Sequence, residues 1–376
     1  MNFWQKLRNH PSLHSGPTER PFFCVAPMAD VTDAAFRRLI AKHSRHGEQS
    51  GGPAVMWTEF VSANGLMSAG RTILQRDLAY AEIERPIVAQ LFTSDPEKME
   101  GAARLCAELG FDGIDINMGC PDRTIEKQGA GAGMIKTPEV AVAIIAAAKR
   151  GAGTVPVSVK TRVGYNTVDI TNWISLLLKQ DIAALTVHAR TRKDLSKVPA
   201  HWEYLKEVVA LRDELAPHTV VIGNGDVTSI ADGKHKAAQS GVDGVMVGRA
   251  LFGNPWFFDE TREIVATLPK KSWLFTLSGI EGRKIPYIGK FFQTKRIAAQ
   301  SINKPITVEE RLTVMVEHTK LFEELLGDIK SFSIMKKHYK AYCTGFEGAK
   351  ELRLALMEKA NNTVDVEQLV KDFLAQ

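Results

Sequence analysis

Cys120 is the residue of this sequence whose surroundings best suit acid chemistry. It lies in Asn117–Pro121 (Asn-Met-Gly-Cys-Pro), where glycine and proline predict a loop after a short apolar run. A thiol in such a loop can be exposed and can protonate a developing carbanion. The alternative is a small buried hydrophobe, the commoner state of a free cysteine, but the loop position favours the acid. Cys24, Cys106 and Cys343 are predicted to pack in the core.

Polar side chains also stand at the ends of other apolar runs. Gln90, Lys160 and His188 each close or nearly close such a run. Buried polar groups cost free energy unless something pairs with them, so a bound polar ligand would explain their placement. Lys160 leaves three interpretations open: a Schiff-base lysine, a cation beside the N1 edge of a flavin, or a solvated lysine at a strand end. Together the three residues resemble a polar rim around a planar, hydrogen-bonding ring.

Eight short apolar runs supply the strands that would position these side chains. They are rich in Val and Ile and do not alternate, as expected of strands buried on both faces. Helical stretches separate them, and eight such units predict a (β/α)8 TIM barrel. An open doubly wound sheet is the alternative, but no GxGxxG follows the first run. The predicted strands are Phe22–Ala26, Ala54–Thr58, Pro86–Leu91, Gly113–Ile116, Pro156–Lys160, Ala184–His188, Thr219–Ile222 and Gly244–Val247.

Two glycine-containing stretches predict a phosphate site in this barrel. Asn224-Gly225-Asp226 follows the seventh run and Gly248-Arg249 follows the eighth. Glycine lets backbone N–H groups approach phosphate oxygens, and a following helix N-terminus adds partial positive charge. Either stretch alone could be an ordinary turn. Their pairing at strands seven and eight, the usual phosphate site of this fold, favours an anion.

The chain changes character after the eighth run, and three regions are predicted. Residues 1–260 form the barrel, residues 261–305 an insertion or linker, and residues 306–376 a smaller all-helical domain. Residues 270–304 contain eight lysines and arginines against one glutamate, interleaved with aromatics. This mixture suits RNA phosphates and bases. A solvated surface segment is an equally open alternative, since exposed lysine is common. The predicted C-terminal helices are Val308–Leu326, Ile329–Cys343, Gly348–Ala360 and Val364–Ala375.

Composition excludes several classes of protein. The 376 residues carry a net charge of +5, with 44% hydrophobic and 24% charged residues, which is typical of a globular protein. The four cysteines lack short paired spacing, so neither a metal site nor a disulfide framework is predicted. The longest apolar run, Val140–Ala148, is too short to cross a bilayer. We expect a cytoplasmic monomer without a membrane segment.

Six stretches of the sequence resemble the tRNA-dihydrouridine synthases. The resemblance covers about residues 22 to 258 and continues more weakly in Ile334–Arg353, and its most specific motif is DINMGCP. The six stretches are Ala26–Asp33 (APMADVTD), Gly113–Gly133 (GIDINMGCPDRTIEKQGAGAG), Val159–Gly164 (VKTRVG), Thr186–Arg192 (TVHARTR), Val221–Asp226 (VIGNGD) and Val245–Trp256 (VMVGRALFGNPW).

The resemblance implies a function and a set of site residues. It implies FMN at the barrel mouth, NADPH as electron donor, and reduction of uridine to dihydrouridine in tRNA. In that family's pattern Cys120 is the proton donor, Asn117 faces the uracil, and Arg162 and Arg190 face substrate or RNA phosphate. Flavin contacts are implied for Pro27, Met28, Ala29, Gln90, Lys160 and His188, and contacts to its phosphate end for Asn224, Gly225, Asp226, Gly248 and Arg249.

Two other functions remain open from the sequence. One is an FMN barrel that reduces or oxidises a free pyrimidine, in the manner of a dihydroorotate dehydrogenase. The other is an RNA-binding module whose flavin chemistry is vestigial. The helical appendage and the basic insertion argue against the first, and the intact Lys160, Cys120 and phosphate-site residues argue against the second.

Overall fold

The computed structural model describes residues 2–9, 21–48, 51–264 and 304–375. The predicted basic segment, residues 270–304, therefore lies outside the described residues except for Lys304. Within the described ranges no helix is both long and apolar enough to cross a membrane.

Eight parallel strands form one sheet in the described chain, and the predicted TIM barrel is confirmed. Their order is β1-β8-β7-β6-β5-β4-β3-β2. The ring closes where Cys24 of β1 bridges Val55, just before β2. The strands are β1 Phe22–Val25, β2 Met56–Ser62, β3 Ile87–Phe92, β4 Gly113–Met118, β5 Val157–Arg162, β6 Ala184–His188, β7 Val220–Asn224 and β8 Gly244–Val247.

Helices surround this barrel and continue beyond it. Each strand from β3 to β7 is followed by helical structure before the next strand, as the alternating pattern predicts. The helices are α1 Phe3–Asn9, α2 Ala34–His43, α3 Ala63–Leu66, α4 Arg71–Leu74, α5 Pro96–Glu108, α6 Arg123–Lys127, α7 Pro138–Ala152, α8 Ser175–Leu178, α9 Tyr204–Leu215, α10 Ile230–Ser240, α11 Val308–Leu326, α12 Met335–Tyr342, α13 Ala349–Lys359 and α14 Thr363–Leu374.

Local sequence explains how the helices around the central strands begin and pack. The Asp95 side chain accepts hydrogen bonds from the first backbone N–H groups of α5, and Pro96 occupies its first turn. Helix α5 then packs closely against α7. A Cβ at Gly151 of α7 would lie 2.1 Å from the carbonyl oxygen of Glu100, so only glycine permits this approach. The tight pair holds β4, which lies between them in the chain and carries the Cys120 loop at its end.

Helix α1 covers the end of the barrel opposite the carboxyl ends of the strands. Trp4 is fully buried, and its ring lies 5.5 Å from that of Trp57 on β2. Phe3 lies against Gly113, the first residue of β4, where a Cβ would be 3.2 Å from the Phe3 ring. Aromatic side chains therefore close this end of the barrel core in the described part of the chain.

The C-terminal helices are confirmed, with one difference. The predicted helix Ile329–Cys343 begins later, as a 3-10 turn at Phe332–Ile334 followed by α12. The helices share a core with the barrel, because Leu39 of α2 and Trp256 pack with Leu312 and Phe322 of α11. Two short strands, β9 Arg262–Ile264 and β10 Lys304–Ile306, pair in parallel where the chain enters the helices. The domain boundaries at residues 260 and 305 stay a prediction.

Two buried histidines lie where the helices meet the barrel. His318 of α11 and His338 of α12 have ring centroids 4.5 Å apart, between the rings of Phe36 and Phe252. None of their ring nitrogens has a hydrogen-bond partner among the described residues. Burial lowers the pKa of His318 to about 3 and holds the pKa of His338 well below its ordinary value. Both rings are therefore neutral in the folded protein.

Acidification should destabilise the protein through this pair. Unfolded histidines bind protons below about pH 6.5, whereas the folded pair does not, so stability is complete above that pH and is lost as the pH falls. The expected slope is about 1.4 kcal/mol per pH unit for each histidine. Denaturant unfolding between pH 5 and pH 7 measures it. His338→Met should reduce the slope by the share of one histidine, about 1.4 kcal/mol per pH unit, while the exposed His235→Met should leave it unchanged. An unaltered slope in His338→Met would contradict this assignment.

Candidate active site at the barrel mouth

A cavity of about 310 Å³ opens at the carboxyl ends of the strands. Five strands bring predicted site residues to its wall, and these residues are far apart in sequence. They are Pro27 and Met28 after β1, Lys160 and Arg162 in β5, His188 and Arg190 at the end of β6, Asn224, Gly225 and Asp226 at the end of β7, and Gly248 and Arg249 after β8.

The cavity wall carries a strong excess of positive charge. It includes four cationic side chains and one carboxylate, that of Asp226. Arg162 is buried, and no described carboxylate pairs with it; it donates hydrogen bonds to the carbonyl oxygens of Gly119, Thr191 and Leu195 instead. Burial lowers the pKa of Arg162 to about 10. A buried cation without a counter-ion favours an anionic ligand beside it.

Lys160 also indicates that the cavity binds a polar or anionic ligand. Its ammonium group has no hydrogen-bond or ion-pair partner in the described parts of the chain, although burial and the neighbouring Arg162 lower its pKa to about 8. An ammonium group held this way needs a polar or negative partner, which a ligand in the cavity can provide. The Lys160 side chain is partly exposed to the cavity, so the three interpretations of Lys160 stay open.

His188 is neutral and has a defined tautomer. Burial lowers its pKa well below the ordinary value, and the cations Arg162, Lys160, Arg190 and Arg249 lower it further. Nη1 of Arg190 lies 3.1 Å from Nε2 of His188. Arginine is always a donor, so Nε2 accepts and Nδ1 carries the proton. The Nδ1–H group is the donor that His188 retains for a ligand.

Asp226 connects two of the cations instead of facing the cavity alone. Its carboxylate accepts hydrogen bonds from Arg190 and Arg249, and from the backbone N–H of Ala200 at 2.9 Å. Asp226 adopts a φ of 48°, and the preceding Gly225 a φ of 133°, which glycine alone adopts easily. This turn therefore holds two guanidinium groups at the end of the cavity where β7 and β8 meet.

The loop that bears Cys120 is held from below by Asn117. The Asn117 side-chain oxygen accepts hydrogen bonds from the backbone N–H groups of Gly119 at 3.1 Å and Cys120 at 2.9 Å. Burial raises the pKa of the partly buried Cys120 thiol above its ordinary value. The thiol therefore keeps its proton at neutral pH, as a proton donor must. Pro121, the next residue, lines the cavity.

Four predicted site residues lie outside the cavity wall, and one of them is Cys120 on the adjoining loop. Ala29 is exposed beyond the cavity, whereas Gln90 and Asn117 are buried behind it and hydrogen-bonded to each other. Their predicted contacts with flavin and uracil stay predictions, as do the roles of the residues that line the wall.

Sequence reasoning did not single out two parts of the site. Leu195 and Ser196, in the loop after β6, complete the cavity wall, and no motif marks them. Asp115 is fully buried beneath the wall and bonds to Gln90. Its position two residues before Asn117, on the same face of β4, is a signal that could have been used.

Comparison with known proteins decides the family. The family model described as Dihydrouridine synthase (Dus) matches residues 24–298 and 279–376. The chain belongs to the dihydrouridine synthase family. A "Probable tRNA-dihydrouridine synthase" of Staphylococcus aureus (strain MRSA252) is 35% identical over 378 residues, covering 100% of this chain and 96% of its own. "Probable tRNA-dihydrouridine synthase 2" of Bacillus subtilis (strain 168) is 36% identical over 375 residues, covering 99% and 96%. The resemblance found in the sequence is thereby confirmed.

The helical region of this dihydrouridine synthase reaches the edge of its barrel mouth. Lys330, in the turn after α11, lies 2.6 Å from Oε2 of Glu59 on β2 and 3.2 Å from Asp77. Glu59 also accepts a hydrogen bond from the backbone N–H of Asp30, three residues after the cavity-lining Pro27. Both Lys330 and Glu59 are largely buried. This ion pair, the Lys330 latch, fixes the helices relative to the mouth.

Proposed function

We propose that this protein is an FMN-dependent enzyme that reduces uridine to 5,6-dihydrouridine in tRNA. The observation that carries the proposal is the pairing of a cationic cavity with a protonated cysteine on the adjoining loop, in a chain of the dihydrouridine synthase family. The curated relatives carry tRNA in their names. Cytoplasmic location and a monomeric state belong to the same proposal.

The donor set of the cavity fits a flavin mononucleotide. Arg190 and Arg249, held by Asp226, and the glycines at positions 225 and 248 suit a phosphate group. Lys160 and the Nδ1–H of His188 have no described partner and suit the polar edge of an anionic ring. When bound, the flavin supplies the hydride for C6 of the uracil, with NADPH as the electron source.

Cys120 supplies the proton. Because its pKa is raised, the thiol holds the proton until negative charge develops at C5 of the uracil, and then transfers it. Asn117 holds the loop in place through two backbone N–H groups during this transfer. The uridine must leave its own base stack to enter the mouth, as in other enzymes that act on nucleobases.

The function is tested with unmodified tRNA. The purified protein should be yellow, NADPH should bleach it, and unmodified tRNA should restore the colour while dihydrouridine appears. Free uridine and orotate, supplied instead, should not restore it at a comparable rate. Equal rates with a free pyrimidine would replace this proposal with a free-pyrimidine enzyme, and tRNA binding without any bleaching would indicate a binding module.

The basic segment is expected to set the salt dependence of tRNA binding. Removing one lysine that binds an RNA phosphate should reduce the slope of log affinity against log salt by up to about 0.9. Replacing Lys284 and Lys290 by Gln should therefore weaken binding and flatten the slope. Replacing the exposed Lys6 and Lys179, at the plugged end of the barrel, should not. A fluorescence titration across salt concentrations measures both, and an unchanged slope in the first variant refutes the role of this segment in phosphate binding.

A further inference from the structure

A chain of buried polar side chains runs beneath the Cys120 loop. Ser158 Oγ donates to Oδ1 of Asp115 at 2.6 Å, and Nε2 of Gln90 donates to Oδ2 of Asp115 at 2.6 Å. Oε1 of Gln90 in turn accepts from Nδ2 of Asn117 at 3.1 Å. Asn117 Oδ1 ends the chain at the backbone N–H groups of the loop. All of these side chains are buried, so solvent cannot replace a broken hydrogen bond.

The direction of this chain is determined at both ends. The backbone N–H groups of Gly119 and Cys120 can only donate, so Asn117 must turn its oxygen toward them and its NH₂ toward Gln90. The Asp115 carboxylate can only accept, so Gln90 must turn its NH₂ toward Asp115 and its oxygen toward Asn117. Reversing either amide would set two donors or two acceptors against each other, so only this arrangement satisfies every group.

The groups that face the Asp115 side chain are donors or cations: Gln90, Ser158, the indole N–H of Trp57 and the ammonium group of Lys160. Burial raises its pKa to about 6, and its hydrogen bonds with Gln90 and Ser158 act against that rise. No ion pair joins it to a cation among the described residues, although Lys160 lies near enough to affect its pKa. A neutral amide of the same shape would be cheaper to bury, so the requirement is for a group that accepts and does not donate.

We propose that Asp115 is a positioning residue that holds the Cys120 loop by orienting the amides of Gln90 and Asn117. Its carboxylate forces both amides into the orientation that leaves Asn117 Oδ1 facing the loop. The relevance of this to catalysis rests on the proposed role of Cys120 as proton donor. The arrangement of the loop itself does not depend on that role.

Asp115→Asn tests the proposal with almost no change in shape. The new Asn can keep its oxygen toward Gln90 only by turning its NH₂ toward Ser158, whose hydroxyl must then accept. In the other orientation its NH₂ meets Gln90, and both amides must reverse, so that the Asn117 NH₂ faces the two backbone N–H groups. The loop should then loosen and the thiol should become less buried. The measurement is the rate of Cys120 alkylation by iodoacetamide against pH, in the flavin-loaded enzyme, with the modified peptide identified by mass spectrometry. Cys24, Cys106 and Cys343 are fully buried and should remain unmodified.

The expected result is a fall in the thiol pKa by about one unit, which raises alkylation near pH 8 about tenfold. Dihydrouridine formation should fall at least tenfold. A wild-type alkylation profile in Asp115→Asn overturns the proposal.

A double variant tests whether the direction of the hydrogen bonds matters, or only the loss of one hydrogen bond. In Asp115→Asn with Gln90→Glu, the carboxylate moves to position 90, where it again accepts from Asn117 and also accepts from the new Asn. The wild-type alkylation profile should return. A profile that stays like that of Asp115→Asn contradicts the directional argument.

Asp243→Asn is the matched control, because it makes the same change at a buried carboxylate near the start of β8. Asp243 accepts from Arg212 and from the backbone N–H of Val221, far from the loop. This variant should lose stability and keep the wild-type alkylation profile. A changed profile in Asp243→Asn would mean that the measurement reports general loosening, which also overturns the proposal. Failure of the proposed function would appear separately, as transfer to tRNA that does not need Cys120.

Discussion

Cys120→Ala should slow transfer to tRNA by about 10²- to 10⁴-fold, while FMN binding and bleaching by NADPH remain intact. The cavity wall does not include the Cys120 side chain, so the flavin contacts survive the change. Without the thiol, no described group on the loop holds a proton for C5 of the uracil. General acids contribute about 10²- to 10⁴-fold to a rate, and a loss in that range is expected.

The measurement separates the two half-reactions by rapid mixing without oxygen. NADPH is mixed with enzyme first, and the reduced enzyme is then mixed with unmodified tRNA. Cys106→Ala is the control, since Cys106 is buried in α5 and distant from the mouth. Transfer at the wild-type rate in Cys120→Ala would remove Cys120 from the mechanism, while loss of bleaching would show that it supports the flavin instead.

Lys330→Met should cost about 3 to 5 kcal/mol of unfolding free energy, the range expected when one partner of a buried ion pair is removed. Only 12% of the Lys330 side chain and 7% of the Glu59 side chain are exposed. The remaining charge is then uncompensated, which is far more costly than loss of a surface pair. Burial already raises the pKa of Glu59, and Lys330 opposes that rise. Without Lys330, protonation of Glu59 relieves the unpaired charge, so the deficit should narrow as the pH falls.

Guanidinium unfolding at pH 5 and pH 7.5 measures both effects. Lys330→Arg should retain most of the stability because it keeps the charge. Lys320→Met removes a surface pair with Glu367 and should cost far less than Lys330→Met. If Lys330→Met cost no more than Lys320→Met, the Lys330 latch would not hold the helices to the barrel.

The eight strands could be predicted because their signals are local. Each is a continuous apolar run between turn residues, and burial on both faces removes alternation in any parallel barrel. The predicted strand boundaries were wrong mainly at the carboxyl ends. There β4 and β5 continue through Met118 and Arg162. Those residues are polar or follow polar residues, yet they stay in the ladder because neighbouring strands bond to them.

The mouth residues could be predicted for a related reason. In a closed parallel barrel every strand ends at the same rim, so polar residues at strand ends must meet. Lys160, His188 and Asn224 do meet there. This rule does not predict which hydrogen-bond or ion-pair partner each polar group has. The phosphate contact of Asp226 stays a prediction, and its carboxylate bonds to two arginines that the rule did not identify.

The sequence by itself therefore determined the barrel, the helical C-terminal region, the family and the rim on which the site lies. Strand period, turn residues and motif spacing are properties of neighbouring residues. Only the tertiary structure decided the polar chain from Asp115 to Cys120, the Lys330 latch and the buried histidine pair. Lys330 and Glu59 are 271 positions apart. Hydrogen-bond direction and charge pairing depend on which atoms come into contact after folding. Because these contacts are buried, the loss of any one of them destabilises the protein.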